Sequence, residues 1–206
     1  MEINAQLVKQ LRERTGAGMM ECKAALVEAK GDLEEGVVVL RKKGIASAGK
    51  KASRSTKQGI VWSYIHPGSQ LGVLIEVNCE SDFVARTEDF QALVHDIAMQ
   101  IAAADPQFIR KEDVTPTDLE KEKEIQKARA IAEGKPEKMA EKIVEGRMNK
   151  YYEEVCLYEQ PFIKENTTTI GEVIKAKIAK LGENIAVARF VRFKVGDSAV
   201  AETAAE

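Results

Sequence analysis

The sequence predicts an α+β fold: an N-terminal unit of three helices, then a core built on a three-stranded antiparallel sheet with covering helices and a projecting helical hairpin. Three observations carry this. Ile60 to His66 and Leu71 to Asn78 alternate with period two on either side of His66-Pro-Gly-Ser69, as in an antiparallel hairpin. A third run of period two, Ile185 to Val195, lies near the other end of the chain and is placed to complete the sheet. Between the second and third of these runs, Phe90, Leu93, Val94, Ile97 and Ile101 recur at helical spacing, as in a helix that covers one face of the sheet.

Residues 1–44 read as three short helices. Asn4 can cap the first, Ile3 and Val8 are spaced for a hydrophobic staple, and Leu7 and Leu11 fall on the buried face. Thr15-Gly-Ala-Gly18 interrupts it. Met19 to Ala29 forms the second helix, ended at Gly31, and Asp32 with Glu35 starts a third that presents Leu33, Val37 and Leu40 before Gly44. Residues 45–58 carry Lys50, Lys51, Arg54 and Lys57 among Ala, Ser and Gly without an apolar period, which predicts a basic linker.

The core is expected over 59–196. After the hairpin, a helix from about Thr87 to Ala103, capped by Thr87, should cover one sheet face. Past Asp105-Pro106, Thr117 and Glu120 predict a capping box, Gly134 a stop and Pro136 a new start, so 117–150 reads as a helical hairpin. Its apolar positions (Leu119, Ile125, Ala132, Met139, Ile143, Met148) are sparse, so it should project into solvent. Thr169 and Glu172 start a last helix that Gly182 ends, and the Ala/Glu-rich stretch 197–206 is expected to be a disordered tail.

Composition narrows the chemistry. The chain has 206 residues, 44% of them apolar, and Lys plus Arg total 31 against 33 Asp plus Glu. A net charge of −2 provides no global positive field, so no nucleic-acid partner is expected. Cys22, Cys79 and Cys156 are odd in number and far apart, which fits free thiols in a reducing cytoplasm better than disulfides or a zinc site. No basic-then-apolar leader and no run of about 18 apolar residues is present, so neither export nor a membrane location is predicted. Gly44-Ile-Ala-Ser-Ala-Gly-Lys-Lys51 resembles a phosphate-binding loop, but Lys51 replaces the magnesium-binding hydroxyl and the segment follows a helix, so direct nucleotide binding is not expected. His66 and His95 lack ligand-spaced partners, and no nucleophile motif is evident; no cofactor and no metal are predicted.

The candidate site is Ser81, Asp82, Phe83 and Val84, where a carboxylate and a large ring stand together on the connection between the second strand and the next helix. The competing reading drops Phe83 into the core and leaves Asp82 to cap a turn.

Two stretches, Leu11-Arg-Glu-Arg-Thr-Gly-Ala-Gly-Met-Met-Glu-Cys-Lys23 and Glu76-Val-Asn-Cys-Glu-Ser-Asp-Phe-Val-Ala-Arg86, resemble the two signatures of the bacterial elongation factor Ts family, in family order. Glu141-Lys-Ile-Val-Glu-Gly-Arg-Met148, Gln160-Pro-Phe162 and Arg189-Phe-Val-Arg-Phe193 extend the similarity over nearly everything but the last residues. Ser81 stands where the family usually has threonine, keeping the hydroxyl and losing a methyl.

The resemblance implies a guanine-nucleotide exchange factor for elongation factor Tu, which binds that G protein in GDP-bound and nucleotide-free forms and catalyses no covalent reaction. It implies that the three-helix unit is a ubiquitin-associated-like module that docks on the G protein, with Met19, Met20, Lys23 and Lys51 as contacts. One of the two methionines is expected to point inward. It further implies that Ser81 to Val84 disturb the partner's magnesium and phosphate site, and that a short family member such as this one can pair as a homodimer. Two alternatives remain open on sequence: an adaptor for RNA using the basic stretch 50–57, and a binder of ubiquitin-like proteins.

Overall fold

The structure is a computed structural model and describes residues 3–197, with all side chains among them except those of Ile45, Ser47, Glu137, Lys138 and Ala140. The expected tail therefore lies outside the described residues but for Asp197. Among the described residues the fold is α+β, with eight α-helices and a three-stranded antiparallel sheet. None of these helices is long and apolar enough to cross a membrane.

The N-terminal helices form as the caps dictate. In α1 (Ala5–Thr15), Asn4 Oδ1 accepts from the Gln6 N–H at 2.9 Å, and Gly16 ends the helix in the left-handed region at φ 68°. Helix α2 (Met19–Glu28) begins with the Glu21 carboxylate accepting from the Gly18 N–H at 3.1 Å. Asp32 Oδ1 accepts from the Glu35 N–H at 2.9 Å to start α3 (Leu33–Lys51). Val8, Leu11, Cys22, Ala25, Leu26 and Val39 are buried together, with Leu7, Leu33, Val37 and Leu40 packed against them.

Helix α3 does not stop at Gly44. It runs on to Lys51, through the first half of the stretch read as a linker. Gly44 serves a close approach instead of a stop: a Cβ there would lie 2.9 Å from the Ala179 Cβ. Ala48 is buried one turn further on, so this part of the stretch packs as helix and not as linker.

Strands β1 (Gln58–Ile65) and β2 (Leu71–Cys79) form the expected hairpin, closed by the His66 N–H donating to the Leu71 carbonyl at 2.9 Å. Short helix α4 (Asp82–Ala85) and long helix α5 (Glu88–Ala104) follow. Phe90, Leu93, Val94, Ile97 and Ile101 are all buried, as their spacing requires.

The cap of helix α6 (Pro116–Ala132) is Thr115, two residues before the expected Thr117. Thr115 Oγ1 accepts from the Asp118 N–H at 3.2 Å, because Pro116 suits the first helical position, where no N–H is needed. Helix α7 (Glu137–Val155) lies against α6 and is fastened by Arg147, which donates to both Glu133 oxygens at 2.8 and 2.7 Å. Burial within this pair centres on Ala130 and Met148, whereas Ile125, Ala132 and Met139 are exposed.

Two short strands absent from the sequence reading, β3 (Pro161–Phe162) and β4 (Glu165–Thr169), pair antiparallel before α8 (Ile170–Leu181) and β5 (Ile185–Lys194). The main sheet has the order β1-β2-β5.

The chain divides into two compact units. The first comprises the stretch up to Trp62, Glu76–His95 and Glu172–Ala188; the second comprises Ser63–Ile75, Asp96–Gly171 and the stretch from Arg189. In the second unit a buried amide pair fixes Gln160-Pro-Phe162. Gln100 Nε2 donates to Gln160 Oε1 and to the Pro161 carbonyl, both at 3.2 Å, while the Ile163 N–H donates to Gln100 Oε1 at 2.9 Å. Gln160 Nε2 in turn donates to the Glu154 carbonyl at 2.9 Å, so both buried amides are satisfied.

Candidate functional site

The candidate site belongs wholly to the first unit. Strand β2 ends at Cys79, and Ser81 adopts an extended conformation (φ −126°, ψ 156°) that lets it cap α4. The cap bond is long, 3.4 Å from the Val84 N–H to Ser81 Oγ. Thr87 closes the other end, its hydroxyl donating to the Val84 carbonyl at 2.8 Å and accepting from the Phe90 N–H at 3.3 Å. Helix α4 is thus a single turn held between two hydroxyl residues, and Thr87 caps the next helix as its sequence position suggested.

This turn sorts its side chains sharply. Phe83 is 79% exposed, whereas Ala85 is 5% exposed and anchors the turn. Phe83 therefore does not enter the core. Asp82 is half-exposed and pairs with Arg86 at 3.0 Å across one turn, and Val84 is half-buried beside it. The arrangement presents an exposed aromatic ring beside a half-exposed carboxylate on a turn anchored from below.

A second segment, absent from the sequence reading, holds the turn. After Gly182 ends α8 at φ 81°, the Glu183 carboxylate accepts from the Ser81 hydroxyl at 2.6 Å and from the Ser81 N–H at 2.9 Å. Glu80 reciprocates by accepting from the Asn184 N–H at 2.7 Å. Asn184 Nδ2 donates to the Ala52 and Arg54 carbonyls at 3.3 and 2.9 Å, and the Arg54 guanidinium lies 3.5 Å from Glu80. Only a charged residue following a helix-stopping glycine marks Glu183 in the sequence, a signal too common to single it out.

Electrostatics reinforce this base. The Cys79 thiol donates to the Ser81 carbonyl at 3.1 Å, and burial, followed by the charge of Glu183, pushes its pKa up. Asp89, in the first turn of α5, accepts from Lys177 at 2.8 Å and pairs with Lys180 at 2.7 Å; these bonds lower its pKa to about 2. The stem of Lys180 also covers Gly16, where a Cβ would fall 2.7 Å from the lysine Cε.

The other predicted contacts lie on the three helices. Met19 and Met20 are 48% and 74% exposed at the start of α2, with Lys23 exposed one turn on. The expectation that one methionine points inward is corrected: Ala17 packs against the helix cluster ahead of Cys22, Ala25 and Leu26, which fill the inward stripe. Lys51 is half-buried in the last turn of α3. Gly44 to Lys51 lies within that helix, so its backbone is not the loop that a phosphate cradle requires.

His66 Nδ1 bonds the Tyr64 hydroxyl at 2.9 Å, and His95 meets the Trp62 ring edge-on at 6.3 Å. Among the described residues no group of three or more His, Cys, Asp or Glu side chains is arranged to hold a metal ion.

Comparison with known proteins agrees with the signatures. The family model described as elongation factor TS matches residues 3–201. A protein named elongation factor Ts from Solibacter usitatus is 76% identical over 205 residues, covering 100% of this chain and 97% of that relative. Proteins of the same name from Koribacter versatilis and Desulforamulus reducens are 65% and 59% identical, covering 100% and 95% of this chain and 93% and 90% of theirs. With a matching family model over nearly its whole length and full-length relatives at this identity, the chain belongs to the elongation factor Ts family.

Proposed function

We propose that this chain is the cytoplasmic exchange factor that binds elongation factor Tu, drives out GDP and lets GTP rebind, thereby supporting translation elongation. The observation that carries this reading is the 79% exposure of Phe83 on a turn whose base is fixed by Ala85 and Glu183. An isolated exposed ring is ordinary; one mounted on a pinned turn within a family signature is positioned for a partner.

Exchange requires that the factor bind the nucleotide-free partner better than the GDP form, since only differential affinity shifts the equilibrium. Phe83 enters between helices of the partner's nucleotide domain and Asp82 approaches the region that organises the partner's magnesium, with Ser81 and Val84 flanking them. Loss of that ion removes the largest positive charge opposing the phosphates. No covalent bond is made or broken, so the chain acts as a binding protein without its own nucleotide or cofactor. Met19, Met20 and Lys23, with Lys51 at the end of α3, dock the ubiquitin-associated-like module, and α6 with α7 forms the projecting hairpin that adds contact. A second copy of this chain covers the apolar outward side chains of the sheet.

Release of fluorescent GDP from purified elongation factor Tu, with and without this chain, tests the reading directly. A catalytic amount should accelerate release. An unchanged rate at saturating chain rejects the proposal.

A further inference from the structure

We infer that Glu183 is a positioning residue for the Ser81–Val84 turn and sets its exchange competence without touching the partner. The inference rests on the proposed role of that turn in exchange. Its basis is a reciprocal clamp in which two adjacent residues of one segment each engage the other segment. Ser81 gives its N–H and its hydroxyl to Glu183, while Asn184 gives its N–H to Glu80.

Distances decide which bond orients the turn. Within α4, the Ser81 cap reaches the Val84 N–H only at 3.4 Å, and the Ala85 N–H reaches the Ser81 carbonyl at the same distance. Both lie at the weak end of hydrogen-bond geometry, and one turn of helix has little cooperative strength of its own. The carboxylate bonds at 2.6 and 2.9 Å are charge-assisted and shorter. They fix both the backbone and the side chain of Ser81, the residue from which the direction of the Phe83 ring follows two positions later.

Glu183 is itself held from both sides. Gly182 in the left-handed region turns the chain out of α8, and the Asn184 side chain is bonded to the Ala52 and Arg54 carbonyls. The carboxylate therefore acts from a fixed base. The clamp also gives the hydroxyl at position 81 a physical role that serine and threonine can both fill and alanine cannot.

The experiment measures kcat and KM for GDP release from elongation factor Tu, together with amide exchange and thermal melts of the free chain. The variants are Glu183→Gln, Ser81→Ala, Ser81→Thr, the Ser81→Ala/Glu183→Gln pair, and Phe83→Ala as the benchmark for the turn itself. Loss of a charge-assisted bond at this partly buried site should lower kcat about threefold to tenfold in Glu183→Gln, with KM within about twofold. Ser81→Ala should behave alike, Ser81→Thr, which keeps the hydroxyl that bonds Glu183, should lose less than Ser81→Ala, and the pair should lose no more than the worse single variant. Protection of the amides at 81–85 should fall in Glu183→Gln while the rest of the chain keeps its own.

Wild-type kcat in Glu183→Gln alongside an impaired Phe83→Ala overturns this inference and leaves the exchange reading intact. Additive losses in the pair do the same. Wild-type kcat in Phe83→Ala overturns both. If Glu183→Gln fails to fold, Ser81→Ala, which keeps the carboxylate and the N–H bond to it, carries the test: normal kcat there rejects the clamp.

Discussion

Phe83 and Ala85 occupy opposite sides of one helical turn, the ring 79% exposed and the methyl 5% exposed. The buried partner holds the turn, and the exposed ring is free to serve an interface. Phe83→Ala should therefore leave the melting temperature nearly unchanged while impairing exchange. Burying a phenylalanine in the partner contributes roughly 1.5–3 kcal/mol, so the exchange-competent complex should weaken by about one to two orders of magnitude. Asp82→Ala should act at the same step with a smaller effect, because its carboxylate is already solvated and paired with Arg86. Thermal melts beside GDP-release titrations check both, and a large loss of stability at normal specific activity would contradict the assignment.

Gly59 in β1 is required by the sheet. Its φ is +149°, and a Cβ there would come 2.3 Å from the Val77 carbonyl oxygen and 2.7 Å from the Asn78 Cα. Both obstacles are backbone atoms of the neighbouring strand and have no rotamer through which to yield. Gly59→Ala should cost about 2–4 kcal/mol from combined backbone strain and overpacking. Urea unfolding would measure this, and a midpoint equal to that of the parent would refute the steric argument.

The sequence made most of the elements legible, and the exceptions share a cause. Period two at Leu71–Asn78 and helical spacing from Phe90 to Ile101 report burial directly, so strand and helix followed. Gly44 misled because glycine both ends helices and lets helices approach, and only the position of Ala179 distinguishes the two. The strand Glu165–Thr169 carries no apolar alternation to read. The tip residues were visible as a motif, but Glu183 was not: its partner lies 102 positions away, and no local pattern encodes that pairing.

Acid should expose the Asp89 bridge. Lys177 and Lys180 hold this carboxyl at about 2, below its ordinary 3.8. A group with a lowered folded pKa contributes stability above its unfolded pKa and loses that contribution as pH falls through the folded value. The bridge is thus intact at neutral pH and should fail between about pH 4 and pH 2. Asp89→Asn should remove this part of the acid sensitivity and cost about 1 kcal/mol or less at neutral pH, since the pair is partly solvated. Parallel melts across that pH range compare the two chains; identical pH profiles would contradict the assignment.

The three thiols should be inert in the folded chain. Cys22, Cys79 and Cys156 are all buried, and desolvation raises each pKa, that of Cys156 to about 11. Reaction with a thiol reagent at neutral pH should be slow and limited by opening of the fold, then complete for all three in denaturant. Fast labelling of Cys79 alone would mean that the turn at Ser81 opens locally, which would weaken the case for a rigid base.

Self-association is the outcome expected of the sheet. Ile65, Leu74, Phe193 and Val195 are 61%, 46%, 68% and 65% exposed, all on the second unit, and β1 and β5 are both edge strands. An apolar surface of this kind on a short sheet invites a second copy, which would cover these side chains and shield the strand edges. Sedimentation at micromolar concentration should give a dimer, and Phe193→Arg should give a folded monomer whose melt no longer depends on protein concentration, because the ring is exposed in the isolated chain and its loss removes only the stabilisation that association adds. In a two-fold pair the same substitution occurs at two symmetry-related places, so one Arg per chain would leave two unpaired charges in the apolar interface. A parent chain that sediments as a strict monomer while retaining full exchange activity would reject self-association.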